Sequence, residues 1–252
     1  DNGPEGLLNA WPLQESYIDY VEGGDTLGII NDIVGFPVLT ENILINANEV
    51  GGETNIIVGY HAIEFLLWGQ DNPDEALLSG GNRQYTDYTT AQNYDRRGKV
   101  LKVCANVLIS HLTELKNEWD KSVSNNFRTT FLALPNNDAI KLMLTGIGIL
   151  SKAELAGERI YVALDNQDQE DEHSCFSDNT HRDIILNAQG IYNIYTGSYT
   201  KVDGDVVKGA SIKDLLNEVN PALAKEMDAI ADESIQKVNN IPVPFDYHLK
   251  QE

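Results

Sequence analysis

Apolar residues recur at helical spacing along most of the chain. Between residues 91 and 121 they follow steps of three and four, at Val100, Leu101, Cys104, Val107, Leu108, Leu112, Leu115 and Trp119. This period is typical of an amphipathic helix. The same spacing predicts a second long helix from an Asp138 cap to about Leu164. It predicts a third from a Ser177 or Asp178 cap to about Tyr195.

Local start signals predict two further helices. Asn220 is followed by Pro221, which suits a cap and the first helical position. Thr40 is a candidate cap for a shorter helix. Strand signals are few, and the Asp203-Gly204 pair predicts one small hairpin. The pattern therefore favours an all-α protein.

Two regions without helical spacing indicate how the chain is organised. Residues 70–90 are rich in Gly, Asn and Asp, and a loop of that length is often functional. A polar stretch at residues 121–126 predicts a boundary, which gives an N-terminal helical domain over 1–122 and a C-terminal one over 123–252.

Composition narrows the classes of function. Of the 252 residues 42% are apolar, and 39 acids against 18 bases give a formal net charge of −21. Such a charge argues against a nucleic-acid partner and favours the attraction of cations. No apolar run reaches the roughly 20 residues of a membrane-spanning helix. The two cysteines, Cys104 and Cys175, are interpreted as unpaired thiols.

The apolar segment "IIVGYHAIEFLLW" at residues 56–68 carries His61 and Glu64. On a helix these positions lie roughly 60° apart on one face. A carboxylate in an apolar segment is costly unless it is paired or bound to a cation. Gly59, just before them, suits close approach by another chain segment or a ligand. Two interpretations stay open: an internal His–Glu pair that stabilises the core, or a pair of metal ligands.

A second cluster lies in "QEDEHSCFSDNTHRD" at residues 169–183, where Asp178 and His181 repeat the three-residue spacing. Imidazoles and carboxylates together suit iron or zinc. The acidic run at 170–172 is interpreted as a solvated surface, and Asp178 could act only as a helix cap. His181, one turn inside the predicted helix, is the stronger candidate for a ligand.

The segment "GYHAIEFLLWGQD" resembles the Gly-x-His-x-x-Glu signature of the imelysin family. Two other stretches, "LNAWPLQESYIDYV" and "QEDEHSCFSDNTHRDI", resemble that family in the same order. The resemblance implies two four-helix-bundle-like domains with a functional cleft between them, and helices that flank the matched region on both sides. The residues that it brings into the site are Glu15, Gly59, His61, Glu64, Ser177, Asp178, Thr180 and His181.

The resemblance also implies a function. It predicts a metal ion, iron or alternatively zinc, held by His61 and Glu64 in the cleft of a bacterial envelope protein for iron uptake. The expected location is the periplasm or cell surface, with a lipid anchor before processing, and other envelope iron-transport proteins are expected partners. The alternative is a metallopeptidase, as the family is classed. However, Ala62 follows His61, so the general base of the His-Glu-x-x-His zinc peptidases is absent and the catalytic residues are unknown.

Overall fold

The computed structural model describes residues 4–22, 24, 27–71 and 79–249. It contains two compact units. The first comprises the described residues up to Pro135 together with the segment His173–Ser177, and the second comprises Asn136–Glu172 and the described residues from Asp178 onward. The sequence analysis placed a domain boundary between residues 122 and 123, and that boundary stays a prediction.

The first unit is built around one long helix. Its helices are α1 (Glu5–Leu8), α2 (Glu15–Ile18), α3 (Glu41–Ala47), α4 (Tyr60–Trp68), α5 (Tyr94–Trp119) and α6 (Phe127–Leu132), with 3₁₀ turns at Tyr85–Tyr88 and Cys175–Ser177. The buried face of α5 presents Val100, Cys104 and Val107 to a core that also contains Phe65 of α4 and Leu44 of α3. Apolar periodicity therefore identified the buried face near Val100, Cys104 and Val107, whereas Leu112, Leu115 and Trp119 of the same stripe are exposed.

The second unit is also helical. It contains α7 (Asn136–Ile149), a π-helical segment (Leu150–Tyr161), α8 (Val162–Asn166), a 3₁₀ turn (Gln169–Asp171), α9 (Thr180–Thr196), α10 (Ile212–Val219), α11 (Pro221–Asn239) and α12 (Phe245–Leu249). Strands β1 (Ser198–Thr200) and β2 (Val206–Lys208) form the predicted hairpin, with Ser198 opposite Lys208 and Gly204 at φ 88° in its turn. The all-α class is confirmed. The predicted cleft stays a prediction.

Helix starts that depend on adjacent residues agree with the sequence. Thr40 accepts a hydrogen bond from Ile43 N, and Asn220 accepts one from Leu223 N ahead of Pro221. The predicted Asp138 cap is wrong, because α7 begins at Asn136 and Asp138 lies in its first turn. There it still meets the positive end of the helix dipole.

The predicted cap of α9 at Ser177 or Asp178 is also wrong. The helix begins at Thr180, and Asn179 precedes it without a capping side-chain bond. Asp178 has φ +54°, whereas a helix cap takes an extended backbone. Of the predicted functional loop at 70–90, residues 72–78 lie outside the described residues.

Buried ion pairs join α5 to the chain before and after α4. The guanidinium of Arg97 donates to both carboxylate oxygens of Asp19, at 2.5 and 3.0 Å. Arg83 donates to Asp19 and Asp87, both at 3.0 Å. The backbone N of Arg83 also donates to Trp68 O at 2.7 Å. These bonds fix the C-terminal end of α4 against the rest of the first unit.

Among the described residues, no helix combines the length and the apolar character needed to cross a membrane.

Candidate functional site

The start of α4 is defined by a close approach between two backbone segments. Gly59 precedes the helix at φ +94°, and a Cβ there would lie 2.7 Å from Leu8 O. Only glycine adopts this conformation readily and leaves room for the carbonyl. The approaching group is thus another segment of the same chain. His61 follows within the first turn of α4.

His61 and Glu64 form a hydrogen-bonded pair on the buried side of α4. Nδ1 of His61 lies 3.0 Å from Oε2 of Glu64, and the two side chains are 3% and 11% exposed. The other carboxylate oxygen, Oε1, accepts from Ser177 N at 3.0 Å and from Ser177 Oγ at 2.6 Å. Three donors therefore compensate the carboxylate within the first unit.

This arrangement fixes the tautomer of His61. An ionised carboxylate can only accept, so Nδ1 must carry the proton that it donates to Glu64. In the neutral imidazole Nε2 then carries no proton and holds a lone pair. Nε2 is buried and has no hydrogen-bond partner among the residues that the structure describes. Metal-binding histidines commonly donate their second ring N–H to a carboxylate in this way.

Aromatic rings surround His61. The ring of Trp11 lies 4.9 Å from that of His61, between centroids, and the ring of His173 lies 4.5 Å away at an angle of 84°. Phe176 packs edge-on against Trp11 at 5.8 Å. Nδ2 of Asn9 lies 3.3 Å from Nε2 of His173. The unpaired nitrogen of His61 thus lies in a buried aromatic cluster that contains a second imidazole.

The structure brings four of the predicted site residues together in the first unit. These are Gly59, His61, Glu64 and Ser177. Glu15 is also in this unit, at the start of α2, where burial raises the pKa of its carboxyl. It makes no hydrogen bond to His61 or Glu64 in the described part of the chain.

The remaining predicted residues, Asp178, Thr180 and His181, belong to the second unit. Thr180 is fully buried as the first residue of α9. Nδ1 of His181 is buried and lacks a hydrogen-bond partner within the described ranges.

His173, Trp11 and Asn9 belong to this cluster but were not among the predicted site residues. The acidic run at 170–172 beside His173 was interpreted as a solvated surface, and this is wrong for Glu172, which is 1% exposed; His173 itself is 6% exposed. Its position four residues before Ser177, in a stretch that resembles the family, was the available signal. Trp11 lies in "LNAWPLQESYIDYV", another stretch that resembles the family.

The side chains around His61 limit which ligand this cluster can bind. No group of three or more His, Cys, Asp or Glu side chains is arranged to hold a metal ion among residues 4–22, 24, 27–71 and 79–249. The nitrogen of this cluster without a hydrogen-bond partner in the described ranges is His61 Nε2, and an imidazole nitrogen suits iron, zinc or copper. Glu64, already engaged by three donors, is placed to orient His61.

Comparisons with known proteins agree in pointing to one family. Iron-regulated protein A of Synechococcus elongatus is 26% identical over 199 residues, which is 76% of this chain and 49% of the relative. The chain thus spans about half the length of this relative. A crystal structure at 2.30 Å from Parabacteroides distasonis, assigned as an iron-regulated protein A precursor, aligns with a TM-score of 0.68 at 20% identity. It covers 97% of this chain and 67% of its own.

The structural alignment supports the helical fold. The sequence profile of the imelysin family (peptidase M75) matches residues 1–252, the whole length of the chain. The motifs around His61 and Ser177 are therefore parts of one continuous family match. This chain belongs to the imelysin family.

Proposed function

We propose that this protein binds an iron ion as cargo through Nε2 of His61, in a bacterial envelope system for iron handling. The observation that carries the proposal is the buried His61 imidazole, whose Nδ1 bonds to Glu64 and whose Nε2 has no partner among the described residues. A buried nitrogen left unpaired costs about 1–3 kcal/mol. A bound cation would remove that cost.

Two further observations support iron. Imidazole nitrogens suit iron, zinc and copper rather than magnesium or calcium. A relative that matches 76% of this chain is named iron-regulated protein A. A net charge of −21 raises the local concentration of cations and speeds their arrival. We propose His173 as the second nitrogen ligand, because its ring is 4.5 Å from that of His61.

The alternative function is a metallopeptidase, favoured by the family's classification. Metal-assisted hydrolysis needs a base near the metal-bound water. Glu64 is poorly placed for that task, because its carboxylate is engaged by His61 and Ser177. Glu15, whose carboxyl pKa is raised by burial, is the remaining candidate in this unit. We therefore expect no cleavage of insulin or casein above background in the presence of added iron or zinc.

Anaerobic equilibrium dialysis against ferrous iron tests the proposal. We expect one tightly held ion per chain in the wild-type protein and none in His61→Ala. The matched control is His111→Ala, which removes another buried histidine with an unpartnered Nδ1 from α5 of the same unit. Binding that survives His61→Ala but falls in His111→Ala would contradict the proposed site.

Fluorescence and peptide-cleavage assays distinguish iron binding from peptidase activity. Because Trp11 lies 4.9 Å from His61, bound iron should quench its emission, and Trp11→Phe should remove that response while Trp68 and Trp119 still emit. Peptide cleavage that disappears in Glu64→Gln, at matched purity, would instead establish the peptidase function.

A further inference from the structure

The first unit contains a concavity that lies outside the His61 cluster. Its volume is about 550 Å³, within the range of small-molecule sites. It is lined by the start of α2 and by the loop after it, and the residues that matter for its chemistry are Gln14, Ser16, Leu27, Asp32, Phe36 and Asn55. None of the residues that contact His61 lines it.

The side chain of Arg96 donates hydrogen bonds to the backbone of the loop that forms one wall of the cavity. Nε of Arg96 donates to Ile30 O at 2.7 Å, and Nη2 donates to Ile29 O at 3.1 Å and to Phe36 O at 2.8 Å. At Gly28, with φ +91°, a Cβ would lie 2.5 Å from Asp19 N, so the loop is packed directly on the chain below it. This wall of the cavity is therefore held in place by backbone contacts.

Each of the two amide side chains at its rim uses one N–H group within the chain. Nδ2 of Asn55 donates to Val50 O at 2.8 Å, and Nε2 of Gln14 donates to Ser16 Oγ at 2.8 Å. The amide oxygens of Gln14 and Asn55 receive no hydrogen bond from any described residue. Both are therefore available to a ligand that donates.

Asp32 adds a charge to these acceptors. Its Oδ1 accepts from Gly35 N at 2.7 Å, while its Oδ2 receives no hydrogen bond in the described part of the chain. Leu27 and Phe36 supply apolar surface beside it. A carboxylate and two amide oxygens next to apolar carbon match a ligand that carries several N–H donors, a positive charge and an aliphatic stem.

We propose that this cavity binds an aliphatic ammonium group, with the charge held by Asp32, Gln14 and Asn55 and the alkyl stem against Leu27 and Phe36. The net charge of −21 favours the approach of such a cation. The same chemistry occurs in a free alkyl amine and in the lysine side chain of a peptide, and the two sources are separated by the probes used. This site is independent of metal binding at His61.

Calorimetric titration with 1,5-diaminopentane tests the proposal on the wild-type chain at about 0.15 M salt, where long-range attraction is screened. We expect saturable binding that weakens about tenfold or more in Asp32→Asn, because a charge-assisted bond is lost. Asp95→Asn is the control, since it removes the same charge from an exposed position on α5. It should bind as the wild type does.

The second probe, 1,5-pentanediol, has the same length without the charge and should bind at least about tenfold more weakly. N-acetyl-lysine methylamide identifies the source: tighter binding than the diamine assigns the site to a lysine side chain, and weaker binding assigns it to free amines. Equal affinity for the diol and the diamine, equal loss in Asp32→Asn and Asp95→Asn, or no saturable binding of either amine would overturn the proposal.

Discussion

The carboxylate of Glu64 receives hydrogen bonds from two segments that are far apart in the chain. His61 is three residues away on α4, and Ser177 is 113 residues away. Replacement of Glu64 by Ala would leave the donors of both residues unpaired in a buried place. Glu64 is therefore placed to orient His61.

For Glu64→Ala we expect a loss of about 1–3 kcal/mol in the free energy of unfolding. We also expect a loss of about 10–100-fold in iron affinity, the usual effect of removing a partner that orients a ligand. Denaturant unfolding and dialysis measure the two quantities. Glu114→Ala, exposed on α5, is the control and should stay within about 0.5 kcal/mol. An unchanged iron affinity in Glu64→Ala would contradict the orienting role.

For single residues, the sequence could predict the contact between His61 and Glu64 but not the contact between Glu64 and Ser177. The i, i+3 spacing is enough to place Glu64 beside His61, because helix geometry is local. The contact with Ser177 depends on tertiary folding across 113 residues, and no spacing rule reaches it. His173 is likewise distant from His61 in the sequence, so a spacing rule could not place it at the site.

The element that positions the site is α4, whose start depends on Gly59. We expect Gly59→Ala to destabilise the first unit by several kcal/mol, because a Cβ would meet Leu8 O at 2.7 Å and the φ of +94° is strained for alanine. Thermal unfolding followed by circular dichroism measures this.

The control for Gly59→Ala is Gly98→Ala, inside α5. There the nearest atom to an added Cβ is Tyr88 Cδ1 at 3.9 Å. Helix propensity predicts a gain of up to about 1 kcal/mol. If both variants melted alike, the close approach at Leu8 would not be what fixes α4.

The ion pairs that join α5 to the preceding chain give a second prediction for an element. For Arg97→Met we expect a loss of about 3–5 kcal/mol, since Asp19 is fully buried and loses a bidentate partner. Denaturant titration measures it. Lys99→Met removes an exposed cation from the same helix and should have little effect. A cost below about 1 kcal/mol for Arg97→Met would mean that Arg83 alone compensates Asp19.

Helix starts show what local sequence can and cannot determine. The caps at Thr40 and Asn220 were predictable because a capping side chain bonds within three residues of itself. At Ser177 the same kind of side chain bonds instead to Glu64, so its helix begins later, at Thr180. A tertiary partner replaced the local one.

At the scale of the whole molecule, half-buried tyrosines contribute to the response to alkaline pH. Burial raises the pKa of Tyr20 to about 12, with a further contribution from its hydrogen bond to Asp87. Burial likewise raises the pKa of Tyr88 to about 12. The unfolded chain loses these protons near pH 10, before the folded one does, so folding stability is retained below pH 10 and lost between about pH 10 and 12.

Melting temperatures measured from pH 8 to 12 test this response. We expect Tyr20→Phe to flatten the decline above pH 10, whereas Tyr85→Phe, at a tyrosine that is 78% exposed, should leave the slope unchanged. Absorbance at the phenolate band should show the same tyrosines ionising late. Equal slopes in both variants would contradict the assignment to Tyr20.

The class of the fold was accessible from the sequence, because helical periodicity is repeated in both halves of the chain. The division of the chain into two units was harder to predict. The segment His173–Ser177 belongs to the first unit although its neighbours on both sides belong to the second. Such an exchange leaves no mark in hydrophobic spacing, and it is what brings His173 and Ser177 to His61.

The central claim is that His61 Nε2 is an iron ligand. X-ray absorption at the iron edge, recorded on iron-loaded wild-type, His61→Ala, His173→Ala and His111→Ala proteins, tests it most directly. We expect imidazole scattering in the wild type and in His111→Ala, a weaker signal in His173→Ala, and no specifically bound iron in His61→Ala. Iron that keeps its full imidazole scattering in His61→Ala would contradict the account.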